Sequence, residues 1–286
     1  MKKNFARIAA LALAALTSAS LAGCSASSAD TTSNRLEEIK ERGVLQVATE
    51  PYFAPNEFID PTKEGEDRYV GSDIELAKAI ADEIGVDLEI VPLEFSAVLA
   101  SVTSGKYDLA ISALAWTPLR GEQMEMSIGY HFDDESLYTV LVREEDAASY
   151  SSIDDLKGKK VVCQSGSLQE QLLKDAIDVD ELGELLYVSA TTDGYLMVSE
   201  GKADACVCAG VNGDLYAEAN GGLTTIPDAI NFPVSDEYAG TRVGGPKGET
   251  ELMDVVNSVI EEFNESGQYN EWYDEYAEYA GTLGLD

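Results

Sequence analysis

The alternation of short apolar runs with helix-period segments, met twice along the chain, constrains its fold more than any other feature. VLQVAT (44–49), DLEIV (87–91), DLAISAL (108–114), KKVVCQ (159–164), ELLYVS (184–189) and ADACVCA (203–209) each read as a buried strand. Amphipathic segments lie between most of them. In SDIELAKAIADEIG, Ile74, Ala77, Ile80, Ala81 and Ile84 form one apolar stripe, Ser72 and Glu75 match a capping box, and Gly85 stops the helix. EFSAVLASVTSGK predicts another helix. Strand and helix in alternation imply parallel sheets covered by helices on both faces. The pattern spans residues 44–130 and again 153–220, with GYHFDDESLYTVLV between them, so two α/β lobes are expected. Near the C-terminus, Leu252, Val255, Val256, Val259, Ile260 and Phe263 stripe one helix, and QYNEWYDEYAEYA predicts a second.

The first residues carry a different pattern. Lys2, Lys3 and Arg7 precede the apolar run IAALALAALTSASLAG, which ends at Cys24, the layout of an export signal. A spanning helix needs about 20 apolar residues, and this run is shorter and interrupted by Ser and Thr. LAGC resembles a lipobox, which makes residues 1–23 a lipoprotein signal peptide and Cys24 the lipidated N-terminus. SASSADTTSN is small, polar and aperiodic, so residues 24–35 are expected to form a flexible tether.

The net charge of -34 becomes -37 once the three cations of residues 1–23 are removed. Such a chain repels phosphate backbones and anionic headgroups, so nucleic acid is not an expected partner, and the membrane is met only through the N-terminal lipid. Beyond Cys24 the cysteines are Cys163, Cys206 and Cys208. Cys206 and Cys208 fall on one face of a strand and cannot bridge each other, so buried free thiols are the default, with a Cys163 bridge to either one left open if the strands adjoin. The single histidine, His131, lies far from them in sequence, and C-x-C alone is a weak metal signal; no cofactor or metal is expected.

Two stretches draw attention as binding elements. Arg120 follows the Trp-Thr-Pro turn of SALAWTPLR, where a helix starts and a cation opposes the helix dipole. A surface ion pair with one of the 53 acids is the plain explanation. In QSGSLQE a strand gives way to a helix, with Gly166 at the turn, Ser167 as N-cap and Glu170 completing a capping box. Free N–H groups of Ser167 and Leu168 there suit an anion.

VATEPYFAPNEF, YVGSDIELAKAIADEIG, SGKYDLAISALAWTPLRGEQMEMSIGY, GKKVVCQSGSLQE, SEGKADACV and NESGQYNEWYDEY occur in the order seen in the extracellular solute-binding proteins of polar amino-acid ABC transporters. The resemblance covers residues 40–280. It implies an α/β, two-lobed periplasmic-binding-protein-like fold of type II, with two crossover hinge strands and a ligand cleft between the lobes. It further implies a first lobe at 36–132, a second at 136–230, and a return to the first at 235–286.

The same resemblance assigns roles to residues. Arg120 matches the arginine that takes the ligand's α-carboxylate, a task its planar fork suits better than lysine. The free Ser167 and Leu168 amides of the capped turn, read from the residues themselves, suit the same carboxylate from the opposite side. Phe53 stands where an aromatic stacks on the ligand and Glu50 where an acid meets a polar or cationic side chain, with Tyr52 and Trp116 as further walls. Two positions depart from the pattern. Ala115 replaces a ligand-binding hydroxyl, leaving its backbone to serve, and Ala209 replaces the aspartate that pairs with the α-ammonium. A buried ammonium needs a carboxylate, so Glu50, Glu57 or Asp193 is expected to supply it, unless the ligand lacks that charge.

The expected function is that of a lipid-anchored, monomeric substrate-binding component. It takes an amino acid or related small carboxylate between its lobes and presents it to an ABC transporter permease on the outer face of the cell membrane. The sequence reads as a binding protein and not an enzyme, since no nucleophile arrangement or metalloprotease motif is present. The competing reading is a dehydratase of a cyclic acid, of the cyclohexadienyl dehydratase kind, with Glu50 or Glu57 as the acid.

Overall fold

The computed structural model describes residues 34–132, 137–235 and 238–284. The leader, Cys24 and nearly all of the tether lie outside these residues, as do 133–136 and 236–237 within the two expected hinge segments.

The chain opens with α1 (Arg35–Arg42), β1 (Val44–Thr49), β2 (Tyr52–Phe53), β3 (Glu57–Ile59), β4 (Tyr69–Val70), α2 (Ser72–Ile84) and β5 (Asp87–Pro92). It continues through α3 (Phe95–Thr103), β6 (Leu109–Ala115), α4 (Pro118–Gln123) and β7 (Met124–Met126). A second set follows: β8 (Tyr138–Arg143), β9 (Lys160–Gln164), α5 (Leu168–Ala176), β10 (Glu184–Val188), α6 (Thr191–Ser199), β11 (Ala205–Ala209), α7 (Gly210–Asn220) and β12 (Leu223–Thr225). The last elements are β13 (Thr241–Pro246), α8 (Thr250–Ser266) and α9 (Gln268–Leu283).

Two five-stranded sheets result, ordered β5-β1-β6-β13-β7 and β10-β9-β11-β8-β12, and β2, β3 and β4 form a small third one. Strand β1 runs parallel to β5 and β6, and β9 parallel to β10 and β11. The expectation of purely parallel sheets fails at β8 and β13, which lie antiparallel to both of their neighbours. Each is the first strand laid down after the chain passes from one sheet to the other, so no crossover helix sets its direction. The two passages run side by side, with His131 bridged to Thr241 at one end and Tyr138 to Phe232 at the other.

The cores follow from the apolar stripes. Leu252, Met253, Val256, Val259 and Ile260 of α8 pack with Ile74, Ala77 and Ile80 of α2 and with Leu45 and Val47 of β1. Burying each such aliphatic side chain is worth about 1.5–3 kcal/mol, which fixes the C-terminal helices to the first sheet.

The expected capping box of α2 is absent. Gly71 occupies the N-cap at φ 129°, and a Cβ there would lie 2.1 Å from the Asn56 carbonyl oxygen. Ser72 and Glu75 instead hold α9: the Ser72 hydroxyl donates to Tyr269 Oη at 2.9 Å, and Tyr276 Oη donates to Glu75 at 2.7 Å. The α5 cap does form, with Ser167 Oγ accepting the Glu170 N–H at 3.1 Å. The Glu170 carboxylate returns to the Gly166 N–H at 2.7 Å, one residue before the one a strict capping box uses.

All three cysteines are buried and free. Strands β9 and β11 do adjoin, but with Cys206 opposite Val162 the side chains part. Cys163 enters the core that includes Leu168, Leu172 and Leu173 of α5, while Cys206 and Cys208 enter the opposite core with Tyr195 and Val198 of α6.

Candidate functional site

A cavity of about 80 Å³ lies between the two sheets. Its walls come from the C-terminal ends of β1 and β6, from β3, and from the starts of α5 and α7, the positions where open α/β sheets present ligand sites.

Arg120 reaches it from α4, a six-residue helix whose N-cap Thr117 accepts the Arg120 N–H at 3.2 Å. The arginine is only 5% exposed. Its Nη1 donates to the Ala115 carbonyl at 2.7 Å and its Nη2 to the Gly166 carbonyl at 2.9 Å, across the gap between lobes. Phe95 lies beneath the guanidinium, with Cζ 5.4 Å from the ring centroid. No carboxylate of the described residues forms a salt bridge with it, and burial lowers its pKa to about 10. A buried guanidinium held by two neutral carbonyls keeps most of its charge uncompensated, the situation an incoming carboxylate relieves.

Two glutamates stand in the same cavity. Glu50, at the end of β1, accepts a 2.9 Å hydrogen bond from Gln164 Nε2 of β9, a second tie between the lobes. Its other oxygen, Oε1, is buried without a donor among the described residues. Burial, abetted by Asp193 and Glu94 and opposed by the Gln164 bond, raises its pKa to about 7. Glu57, on β3, accepts from Ser112 Oγ at 2.8 Å, and Ser112 in turn accepts the Glu50 N–H at 3.0 Å. Glu57 Oε2 is likewise buried without a donor. Desolvation and the facing Asp73 carboxylate push the Glu57 carboxyl well above its usual range.

Burial raises the Asp73 carboxyl too, and the donors around it oppose that rise. Tyr130 and Tyr269 hydroxyls donate to one of its oxygens at 2.9 and 2.6 Å, and the Ala113 N–H donates to the other at 2.7 Å. Ala113 sits at φ 47°, an uncommon conformation for a residue with a Cβ, inside the stretch of β6 where pairing with β13 shifts register. The irregularity leaves Ser112, Ala113 and Ala115 together on the cavity wall.

Of the residues expected from sequence, Arg120, Ala115, Leu168, Phe53 and Glu50 line this cavity. Ser167 is buried beside it on an adjoining depression with Thr117 and Gly166, and its N–H donates to the Gln164 carbonyl at 3.3 Å. Trp116 folds back over Gly121 and packs against Tyr238, ring centroids 6.2 Å apart. Tyr52 is exposed and lines a separate depression with Thr192, Tyr195 and Tyr216. Asp193 is exposed in the first turn of α6 and reaches the cavity only through its field on Glu50. Ala209 does line the wall and ends where α7 begins, while Asp214 accepts from the Thr225 hydroxyl on the outer strand β12. Sequence reasoning passed over Asn56, Phe95, Ser112, Gln164, Gln169 and Asn212. Only Gln164 and Gln169, flanking the quoted SGSL turn, carried a usable local signal.

The family model of bacterial extracellular solute-binding proteins, family 3, matches residues 45–279. The chain belongs to this family. Among curated relatives of this solute-binding protein, the arginine-binding extracellular protein ArtP of Bacillus subtilis is 30% identical over 227 residues, 78% of this chain and 82% of that protein. Among solved structures, the amino-acid ABC transporter substrate-binding protein AbpA of Streptococcus pneumoniae, bound to L-arginine, superposes with a TM-score of 0.76 at 34% identity, covering 87% of this chain and 99% of that one. The ancestral amino-acid-binding protein AncCDT-1, a precursor of cyclohexadienyl dehydratase, superposes at 0.70 and 28% identity, covering 85% and 99%. As a member of this family the solute-binding protein is an extracytoplasmic, amino-acid-binding component of the ABC transporter class, with the two-lobed α/β fold described above.

Proposed function

We propose that the protein captures a cationic amino acid in the cavity between its lobes and, tethered by a lipid on Cys24, delivers it to an ABC permease. The observation that carries the ligand assignment is the charge layout: the guanidinium of Arg120, free of acid partners among the described residues, shares one cavity with Glu50, whose Oε1 meets no donor, and with the buried Glu57 carboxyl. Arg120 takes the α-carboxylate. With Ala209 offering no charge, Glu50 and Glu57 divide the α-ammonium and the side-chain cation between them. That the relative ArtP is named for arginine and AbpA holds L-arginine supports the same class.

Binding needs no chemistry: ligand contacts from both lobes favour the closed arrangement by differential affinity. The Arg120 to Gly166, Glu50 to Gln164 and Asn212 to Ala54 hydrogen bonds span the gap and mark that arrangement.

A thermal-shift screen of the twenty amino acids tests the reading. An arginine or lysine concentration about 100 times its dissociation constant adds about 2.7 kcal/mol of stability, and Arg120→Ala removes the effect. Equal stabilisation of wild type and Arg120→Ala would move the site elsewhere. Water loss from a cyclic hydroxy acid would favour the dehydratase.

A further inference from the structure

The reading above leaves Glu57 with more to do than supply charge. Its Oε1 is occupied by the Ser112 hydroxyl, and its Oε2 is buried, faces Asp73 and finds no donor among the described residues. Asp73 accepts from the Tyr130 and Tyr269 hydroxyls and the Ala113 N–H, donors that favour its ionised form against the burial that raises it. Two buried carboxyls face to face are compatible only when one keeps its proton, and Glu57 is the one without stabilising N–H donors.

We propose that Glu57 is a specificity-determining residue that exchanges a proton for the ligand's side-chain cation, so that pH sets the preference between cationic and neutral amino acids. The inference rests on the amino-acid reading above. A neutral zwitterion brings one ammonium, which the ionised Glu50 matches. A ligand with a guanidinium or ammonium side chain brings a second positive charge, and the cavity balances it by losing the Glu57 proton to solvent. Glu57 burial and Asp73 both favour the protonated form in the empty cavity, and a cation placed against Oε2 reverses that preference.

Other titratable groups share the surroundings. Glu50 lies at the end of β1 with Asp193 and Glu94 in its field, Asp73 lies on α2 with Tyr130 and Tyr269 against it, and Arg120, His131, Tyr138 and Tyr273 complete the wall. Comparing a cationic with a neutral ligand of similar length cancels the groups that both ligands perturb alike.

Isothermal titration calorimetry of the full chain with L-arginine and L-glutamine, in phosphate and in imidazole at pH 6, 7 and 8, counts the protons from the buffer dependence of the heat. The expected result is about one more proton released per arginine than per glutamine. The arginine-over-glutamine affinity ratio then rises about tenfold for each pH unit. Glu57→Gln, which keeps an acceptor for the Ser112 hydroxyl and stays neutral, loses the extra proton and flattens the ratio. Equal proton counts for the two ligands, or an unchanged count in Glu57→Gln, would overturn the proton exchange while leaving amino-acid binding intact. Absence of heat and of thermal stabilisation with every amino acid would overturn both.

Discussion

Glu50 shows how burial converts a carboxyl into a stability liability. Its folded pKa, about 7, lies above the unfolded carboxylate value, so the folded state holds the proton more tightly. The group therefore destabilises the empty protein progressively as pH rises from the unfolded pKa towards 7, and the loss levels off above that. Glu50→Gln keeps an acceptor for Gln164 and removes the ionisable group. At pH 8 it should raise the stability of the ligand-free protein by up to about 3 kcal/mol, while at pH 4 the difference vanishes; denaturant melts at the two pH values measure it. Arg120→Lys probes the opposite wall. Lysine keeps the charge and loses the planar fork, so ligand affinity should fall by at least tenfold with little change in fold stability. At this scale family position and a dipole-opposing charge both single out Arg120 in the sequence, and the structure places it on the cavity wall, bonded to the Ala115 and Gly166 carbonyls. The sequence is silent on Asn212, Phe95 and Asn56, whose roles arise from contacts with segments distant in sequence that no local spacing records.

At the scale of the elements, local sequence signals set the type of an element and leave its terminal contacts to tertiary packing. Ser72 and Glu75 have the spacing of a capping box, but the close approach of Asn56 to Gly71 shifts the helix start, and tyrosines of α9 claim both side chains. Gly71→Ala should cost several kcal/mol, because the added methyl meets the Asn56 carbonyl in a backbone conformation that alanine rarely adopts. Tyr269→Phe removes the hydroxyl that donates to Asp73 and accepts from Ser72 and Asn56, at about 1–3 kcal/mol of stability. Both changes are read from thermal or urea melts of the ligand-free protein. Strands β8 and β13 eluded the alternation because each enters a sheet straight from a crossing, with no helix before it to signal βαβ order.

At the scale of the whole molecule, two sheets meet over one small, strongly charged cavity. The twofold repeat of the strand–helix pattern makes the two lobes legible, while the cavity's contents are not, since Glu57 and Ser112 come together only through packing of distant segments from different sheets. For the proposed lipid anchor, Cys24→Ala abolishes incorporation of labelled fatty acid into the protein and releases it from membranes. The central claim is that one amino acid is held by its carboxylate on Arg120 and by its cationic groups on Glu50 and Glu57. A crystal structure of the protein with L-arginine tests it most directly. The account predicts the α-carboxylate within hydrogen-bonding distance of both Arg120 Nη atoms, and the ammonium and guanidinium against the Glu50 and Glu57 carboxyls. Arginine bound with its carboxylate away from Arg120, or in a depression outside this cavity, would contradict it.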